Sequence, residues 1–144
     1  MEMRKLALIL ILIGVAFAGL AMKNKVTNRS FSEDELTKIS EGNIQVTAVF
    51  LNPKYPDLKK ATFYLRLDTH SGNLYRFDLK NSTVLVVGGK EFRPISWKED
   101  ERSWGHHRYG FMEFPEEALK EIYSQMSFSL KINIDGERVL KWET

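Results

Sequence analysis

The chain of 144 residues contains no cysteine. This absence excludes disulfides, iron–sulfur clusters, covalently attached c-type haem and thiolate sites for zinc or copper. It also excludes a lipid anchor of the bacterial lipoprotein type, because that anchor is attached to a cysteine. The folded part is therefore stabilised without covalent cross-links.

The chain also lacks an excess of either charge. Lys and Arg total 21 against 19 for Asp and Glu, which gives a formal net charge of +2. Domains that bind nucleic acid carry a clustered basic surface, so this balance predicts no nucleic-acid partner. Hydrophobic residues make up 43% of the chain, which is ordinary for a globular protein and sufficient for one domain with its own core.

A long uncharged run occurs only at the amino terminus, from Leu6 to Met22. Its length lies between a signal-peptide core of about 7–15 residues and a spanning helix of about 20. Residues 1–22 are therefore predicted to be a signal peptide or a membrane anchor in the form of a hydrophobic helix, and we favour the uncleaved anchor. Cleavage near Ala18 or Ala21 would instead give a secreted protein. Both alternatives predict an extracytoplasmic location, whereas a buried core helix is the remaining interpretation.

Residues 23–42 are predicted to form a linker and a short helix. Ser32 is a good N-terminal cap, and Glu35 three residues later can complete a capping box. We expect the helix to run from about Glu33 to Glu41 and to end at Gly42.

From residue 43 onward the hydrophobic pattern changes to a period of two, which is typical of strands with one buried face. The segments that show it, or that are rich in β-branched residues, are 44–50, 63–68, 83–87, 91–95, 108–114, 127–134 and 137–142.

Turn signals separate these segments. Gly88-Gly89 and Asp135-Gly136 predict hairpins, the second with a type I′ turn. A short helix is predicted near Pro115 to Tyr123. Seven or eight strands over residues 43–144 favour a mainly β fold, an antiparallel immunoglobulin-like β-sandwich with one or two short helices. A closed barrel is the alternative.

All three histidines lie in two short stretches, Asp68-Thr69-His70-Ser71 and Gly105-His106-His107-Arg108. If the strand before the first stretch continues, Asp68 and His70 share one face and can supply an oxygen and a nitrogen ligand. Such ligands suit zinc or copper(II). His106 and His107 point to opposite faces of a regular strand, so both can join only from a bent loop.

The predicted metal ligands are thus Asp68, His70, His106 and His107. A structural role competes with this interpretation. Asp68 can cap its own turn or pair with Arg66 or Arg108, and His70 can hold the loop through a backbone carbonyl.

Trp97 and Trp104 flank a charged run, Lys98-Glu99-Asp100-Glu101-Arg102. They either pack on the edge of the sandwich or form an exposed aromatic contact for a partner or a sugar.

Several of these residues together resemble a family motif. Leu67-Asp68-Thr69-His70-Ser71, Phe77-Asp78-Leu79, Trp97 and Gly105-His106-His107-Arg108 with Gly110 are similar to a group of uncharacterised extracytoplasmic prokaryotic domains. Those domains carry an Asp/Asn-Thr-His-Ser stretch followed by a Gly-His-His stretch. The resemblance covers residues 44–115, and Trp104 stands where a second glycine is usual. It implies an exported β-sandwich whose histidine motifs act together.

The sequence favours a membrane-anchored, extracytoplasmic binding module with a metal site at the histidines. The alternative is a structural or protein-interaction domain of the cell envelope with no metal site. A metal-dependent hydrolase is a third hypothesis, but no second carboxylate near the motifs is evident as a general base. We therefore expect a protein that is not an enzyme.

Overall fold

A computed structural model describes residues 30–143, and these residues are mainly β. Alternation of buried and exposed side chains along the strands explains the architecture, because each strand turns one face to the interior. The strands are β1 (Thr37–Ser40), β2 (Ile44–Phe50), β3 (Ala61–Thr69), β4 (Thr83–Val87), β5 (Lys90–Phe92), β6 (Ser96–Glu99), β7 (His107–Phe114), β8 (Ser127–Asn133) and β9 (Glu137–Glu143). One α-helix, α1 (Glu116–Gln125), lies between β7 and β8.

The strands form two antiparallel sheets. The first has five strands in the order β1-β2-β3-β7-β6, and the second has four in the order β5-β4-β8-β9. The sequence predicted seven or eight strands, and the described part of the chain has nine. Two strands fall outside the predicted segments, β1 and β6, and they form the two edges of the five-stranded sheet.

The two sheets share one hydrophobic core, which is rich in aromatic rings. Phe50 and Phe63 come from the five-stranded sheet, and Phe128 and Trp142 come from the four-stranded sheet. The Phe50 and Phe128 ring centroids are 5.0 Å apart, and those of Phe63 and Trp142 are 5.5 Å apart. Because each such side chain stabilises the fold by roughly 1.5–3 kcal/mol when fully buried, these contacts hold the sheets face to face.

The helix predicted from Glu33 to Glu41 is wrong. Only a 3₁₀ turn over Glu33–Glu35 is present, and β1 follows at once. The Leu36 carbonyl explains the change, because it accepts hydrogen bonds from the Phe50 N–H and from Trp142 Nε1, each at 2.9 Å. These partners are distant in sequence, so tertiary contacts override the local helix signal.

Both predicted hairpins are present. β4 and β5 pair across Gly88-Gly89, and both glycines have positive φ. β8 and β9 pair up to Asn133 and Glu137, so the loop has three residues rather than the two expected of a type I′ turn. The predicted short helix is confirmed as α1, with Pro115 as its N-cap.

The predicted anchor or signal at residues 1–22 and the linker that follows it lie outside the described residues. Over residues 30–143, no helix combines the length and the apolar character needed to span a membrane.

Candidate functional site

The central contact of the site joins Asp68 on β3 to His107 on β7. The two residues are opposite each other in the antiparallel register, so both side chains leave the same face of the sheet. The His107 Nδ1–H donates to Asp68 Oδ1 at 2.5 Å. The Asp68 side chain is 18% exposed and the His107 side chain 33%, so the pair lies at the surface with the imidazole outermost.

Arg66 occupies the second oxygen of the same carboxylate. Its Nε donates to Asp68 Oδ2 at 2.6 Å. Burial raises the pKa of Asp68, but the hydrogen bonds from Arg66 and His107 outweigh it, so the pKa lies below its usual range. Within residues 30–143, His107 Nε2 has no hydrogen-bond partner. The carboxylate therefore orients the ring with Nε2 available to a ligand.

The other two histidines do not join this pair. β3 ends at Thr69, whose hydroxyl donates to the Asn43 and Ser71 carbonyls, so His70 lies in the turn beyond the strand. There His70 is exposed and borders a different depression. His70 was expected to share a face with Asp68 only if the strand continued to it, and β3 ends one residue earlier, at Thr69.

His106 forms the tip of a tight turn. The Trp104 N–H donates to the His107 carbonyl at 2.7 Å, and the His107 N–H donates to the Trp104 carbonyl at 2.9 Å. His106 therefore precedes β7, and its ring lies 5.0 Å from the Trp104 ring. No group of three or more His, Asp or Glu side chains in the described residues is arranged to hold a metal ion. The predicted ligands Asp68, His70, His106 and His107 are thus brought together only as the Asp68–His107 pair.

The two tryptophans have different roles. Trp104 is 53% exposed, and its ring lies 5.0 Å from that of His107, so it borders the site. Trp97 packs against the core, and its Nε1 donates to Glu99 Oε2 at 2.6 Å. An exposed partner contact at Trp97 is therefore not supported by its position.

Arg108 is buried on the opposite face from its neighbour His107. Its Nε donates to Glu99 Oε1 at 2.9 Å, and its Nη1 donates to the carbonyls of Leu74 and Phe77. These bonds fix the segment around the 3₁₀ turn Leu74–Arg76 against β7. Arg108 is thus a structural residue, and Glu99, which sequence reasoning missed, is its partner.

Sequence reasoning also missed two further cross-strand pairs on the outer face. Arg66 lies with its guanidinium carbon 5.4 Å from the Tyr109 ring centroid, and the Tyr64 and Phe111 rings are 5.3 Å apart. The signal was present, because every second residue of β3 and β7 shares a face, but the register between the strands was needed to pair them.

These contacts make three successive rows on the five-stranded sheet. We call this surface the outer strip; its residues are Asp68, His107, Arg66, Tyr109, Tyr64 and Phe111. The first row is the carboxylate–imidazole pair Asp68–His107, the second is the cation–π pair Arg66–Tyr109, and the third is the aromatic pair Tyr64–Phe111. The apolar end opens into a groove of about 380 Å³, also bordered by Val49, Leu51, Tyr55, Leu58 and Thr62.

Comparison with known proteins gives no significant match to a family model, a curated protein or a solved structure. The function is therefore argued from the geometry of the outer strip.

Proposed function

We propose that the chain is an extracytoplasmic, membrane-anchored β-sandwich binding module that holds a protein partner of the cell envelope against the outer strip. The observation that carries the proposal is the set of three ordered rows on one exposed sheet face. Tyr, Phe, Trp and Arg are enriched at the centres of protein interfaces, and Trp104 adds a further exposed ring beside the strip.

The pairing of side chains within each row also lowers the conformational entropy that is lost on binding. Each outer-strip side chain already contacts its partner on the neighbouring strand, so little rotamer freedom remains to be lost. Ordering a free side chain at an interface costs about 0.5–1.5 kcal/mol. Phe111 is 40% exposed although it is a large apolar residue, which leaves surface for a partner to cover.

We infer that the fold is of the immunoglobulin-like type. Taking β2 as strand A, the five-stranded sheet contains the order A-B-E-D as β2-β3-β7-β6. The second sheet then has the order C′-C-F-G as β5-β4-β8-β9. Both orders occur in immunoglobulin domains, where such sandwiches commonly serve as binding modules.

The proposed location rests on sequence. The uncharged run from Leu6 to Met22 reaches the lower limit of about 17 residues for a membrane-spanning helix. The resemblance to extracytoplasmic prokaryotic domains supports the same location.

Photo-crosslinking in the native envelope tests the proposed partner. Benzoylphenylalanine placed at Phe111 in the full chain should give one defined protein adduct. The matched control is the same probe at Val139, an exposed apolar position on β9 of the other sheet. The proposal fails if position 111 gives no adduct, or if both positions give the same set.

A divalent metal is a second candidate ligand. Asp68 orients His107 through Nδ1, which is how a carboxylate prepares a histidine for a metal at Nε2. Calorimetric titration of the full chain with zinc or copper tests this role. Stoichiometric binding that His107→Ala abolishes and His70→Ala preserves would support a metal site at the outer strip. Absence of binding by the folded chain would remove this candidate.

A further inference from the structure

The loop between β2 and β3, residues 51–60, is held in a fixed shape. Asn52 is 2% exposed, and its side chain clamps both ends of the loop. Its Nδ2 donates to the Lys60 carbonyl, and its Oδ1 accepts from the Thr62 N–H, each at 2.8 Å. A rigid loop presents its tip at little entropic cost, so the chemistry of the tip is informative.

The tip combines an aromatic ring with basic side chains. Tyr55 is 57% exposed, Leu58 is half-buried, and Lys54, Lys59 and Lys60 are all exposed. Tyr is enriched where proteins meet the headgroup level of a membrane, and lysine extends its charged end to that level from an apolar stem. Lys54 pairs with Glu33 at 3.6 Å and Lys60 pairs with Glu113 at 3.9 Å. Lys59 has no carboxylate partner among the described residues, so its ammonium group can meet the phosphate of a phospholipid.

The loop lies beside the point where the described chain begins. Phe31 borders the same depression as Lys54 and Tyr55, and Lys54 Nζ is 3.6 Å from Glu33 Oε1. Only eight residues, 23–30, separate Phe31 from the apolar run that ends at Met22. Fully extended, they span at most about 29 Å. With the apolar run as the proposed anchor, this length is the upper bound on the distance from Phe31 to the end of the run.

We propose that the β2–β3 loop docks on the phospholipid headgroup region of the membrane in which the chain is anchored. Tyr55 and Leu58 lie among the headgroups, and Lys59 binds lipid phosphate. This inference rests on the anchoring part of the proposed function. The acidic turn Glu33–Glu35 is at the same end and repels anionic lipid, so the phosphate of zwitterionic lipid is the expected partner.

Docking of the loop would fix the orientation of the outer strip relative to the membrane. Tyr55 and Leu58 border the groove that Tyr64 and Phe111 also border. The apolar end of the strip therefore faces the membrane, and the Asp68–His107 end points away from it. A partner would then have to approach close to the membrane surface.

The absence of cysteine allows a clean test. A nitroxide label is attached to a single introduced cysteine in the full chain, reconstituted in phosphatidylcholine vesicles. The three positions are Asp57→Cys at the loop tip, Glu137→Cys at the start of β9 and Leu12→Cys in the apolar run. Accessibility to lipid-soluble oxygen is compared with accessibility to a water-soluble nickel chelate.

We expect the label at 57 to favour oxygen and the label at 137 to favour the nickel chelate. Tyr55→Ser with Leu58→Ser should shift the label at 57 to the aqueous pattern. Ile95→Ser with Val139→Ser removes a similar exposed apolar area elsewhere and should leave the pattern unchanged.

Three results would overturn the docking proposal. An aqueous label at 57 with a lipid-exposed label at 12 means that anchoring holds and docking fails. Aqueous labels at both 57 and 12 mean that both fail. Spin–spin broadening between labels at 57 of two copies would place a second chain of this protein on the loop instead of lipid.

Discussion

His107 and Arg108 are neighbours on β7, and each meets a carboxylate on a different face of the same sheet. His107 points outward to Asp68, and Arg108 points inward to Glu99. The outer pair leaves Nε2 without a partner in the described residues, whereas Arg108 also donates to two backbone carbonyls. Arg108 therefore has a structural role, whereas His107 can still bind a ligand through Nε2.

The difference shows why similar sequence features have unlike roles. Alternation along a strand sends adjacent residues to opposite environments, and burial then decides what an ion pair does. The Arg108 side chain is only 9% exposed, against 33% for His107, and it also satisfies two backbone carbonyls. Removing Arg108 therefore leaves buried acceptors without their side-chain donor, whereas an ion pair at the surface contributes little to stability. Substitutions on the inner face should therefore lower the stability of the fold, and substitutions on the outer face should mainly weaken binding.

The largest expected effect is that of Arg108→Ala. The change removes the donor of Glu99 Oε1 and of the Leu74 and Phe77 carbonyls, while Trp97 still donates to Glu99 Oε2. Because two carbonyls lose their buried side-chain partner, the free energy of unfolding should fall by about 3–5 kcal/mol. Urea unfolding measures the loss. Arg108→Lys keeps the charge without the guanidinium fork and should recover only part of it. A loss below about 1 kcal/mol would show that the inner contact is dispensable.

Gly110→Ala should have the next largest effect, again on the inner face. A Cβ there would lie 2.5 Å from the Lys98 carbonyl oxygen and 2.6 Å from the Trp97 ring. The backbone carbonyl cannot move aside cheaply, so we expect a loss of about 3 kcal/mol in urea unfolding. Gly89→Ala is the control, because a Cβ at Gly89 meets no atom within 4 Å. The positive φ of Gly89 makes this variant lose some stability through backbone strain but none through a clash. An equal loss of unfolding free energy in the two variants would contradict a clash between a Cβ at Gly110 and the Lys98 carbonyl oxygen.

Asp68→Asn on the outer face should cost only about 1 kcal/mol at pH 7. Because the pKa of Asp68 is below its unfolded value of about 3.9, its carboxylate stabilises the folded state above that pH. This contribution is lost as the pH falls through the folded pKa. The stability difference between the two chains should therefore be full at pH 7 and diminish below about pH 4. If the stability difference between the unsubstituted chain and Asp68→Asn grew at acid pH, the pKa of Asp68 would be raised rather than lowered by folding.

Phe111→Ser should cost about 1 kcal/mol in stability, because the ring is 40% exposed and loses its contact with Tyr64. It removes the exposed apolar end of the outer strip, so binding to the partner identified at position 111 should weaken clearly. Binding is measured by calorimetry or by an interferometric assay on the full chain. Unchanged affinity would exclude this end of the strip from the interface.

The sequence predicted the strands well because alternation is a local property. The pattern of Phe63, Leu65 and Leu67 places Asp68 on the outer face without knowledge of its neighbours. Arg66 was predicted as a partner of Asp68 and is one. The hydrogen bond from His107 to Asp68 could not be predicted, because His107 is 39 positions away and only the β3–β7 register joins the two residues. The same limit explains β1, whose conformation depends on contacts from Phe50 and Trp142 to Leu36. The end of β3 before His70 likewise depends on the Thr69 hydroxyl.

The most direct test of the outer strip as a binding face uses the yield of the adduct at position 111 in a His107→Ala chain. The yield is compared with that of the unsubstituted chain, both carrying the photoprobe, at equal amounts of folded protein. Loss of an interface hot spot costs at least about 2 kcal/mol in affinity, so we expect the yield to fall by about tenfold or more at limiting partner. The free energy of unfolding should change by less than about 1 kcal/mol. An unchanged yield would contradict the account.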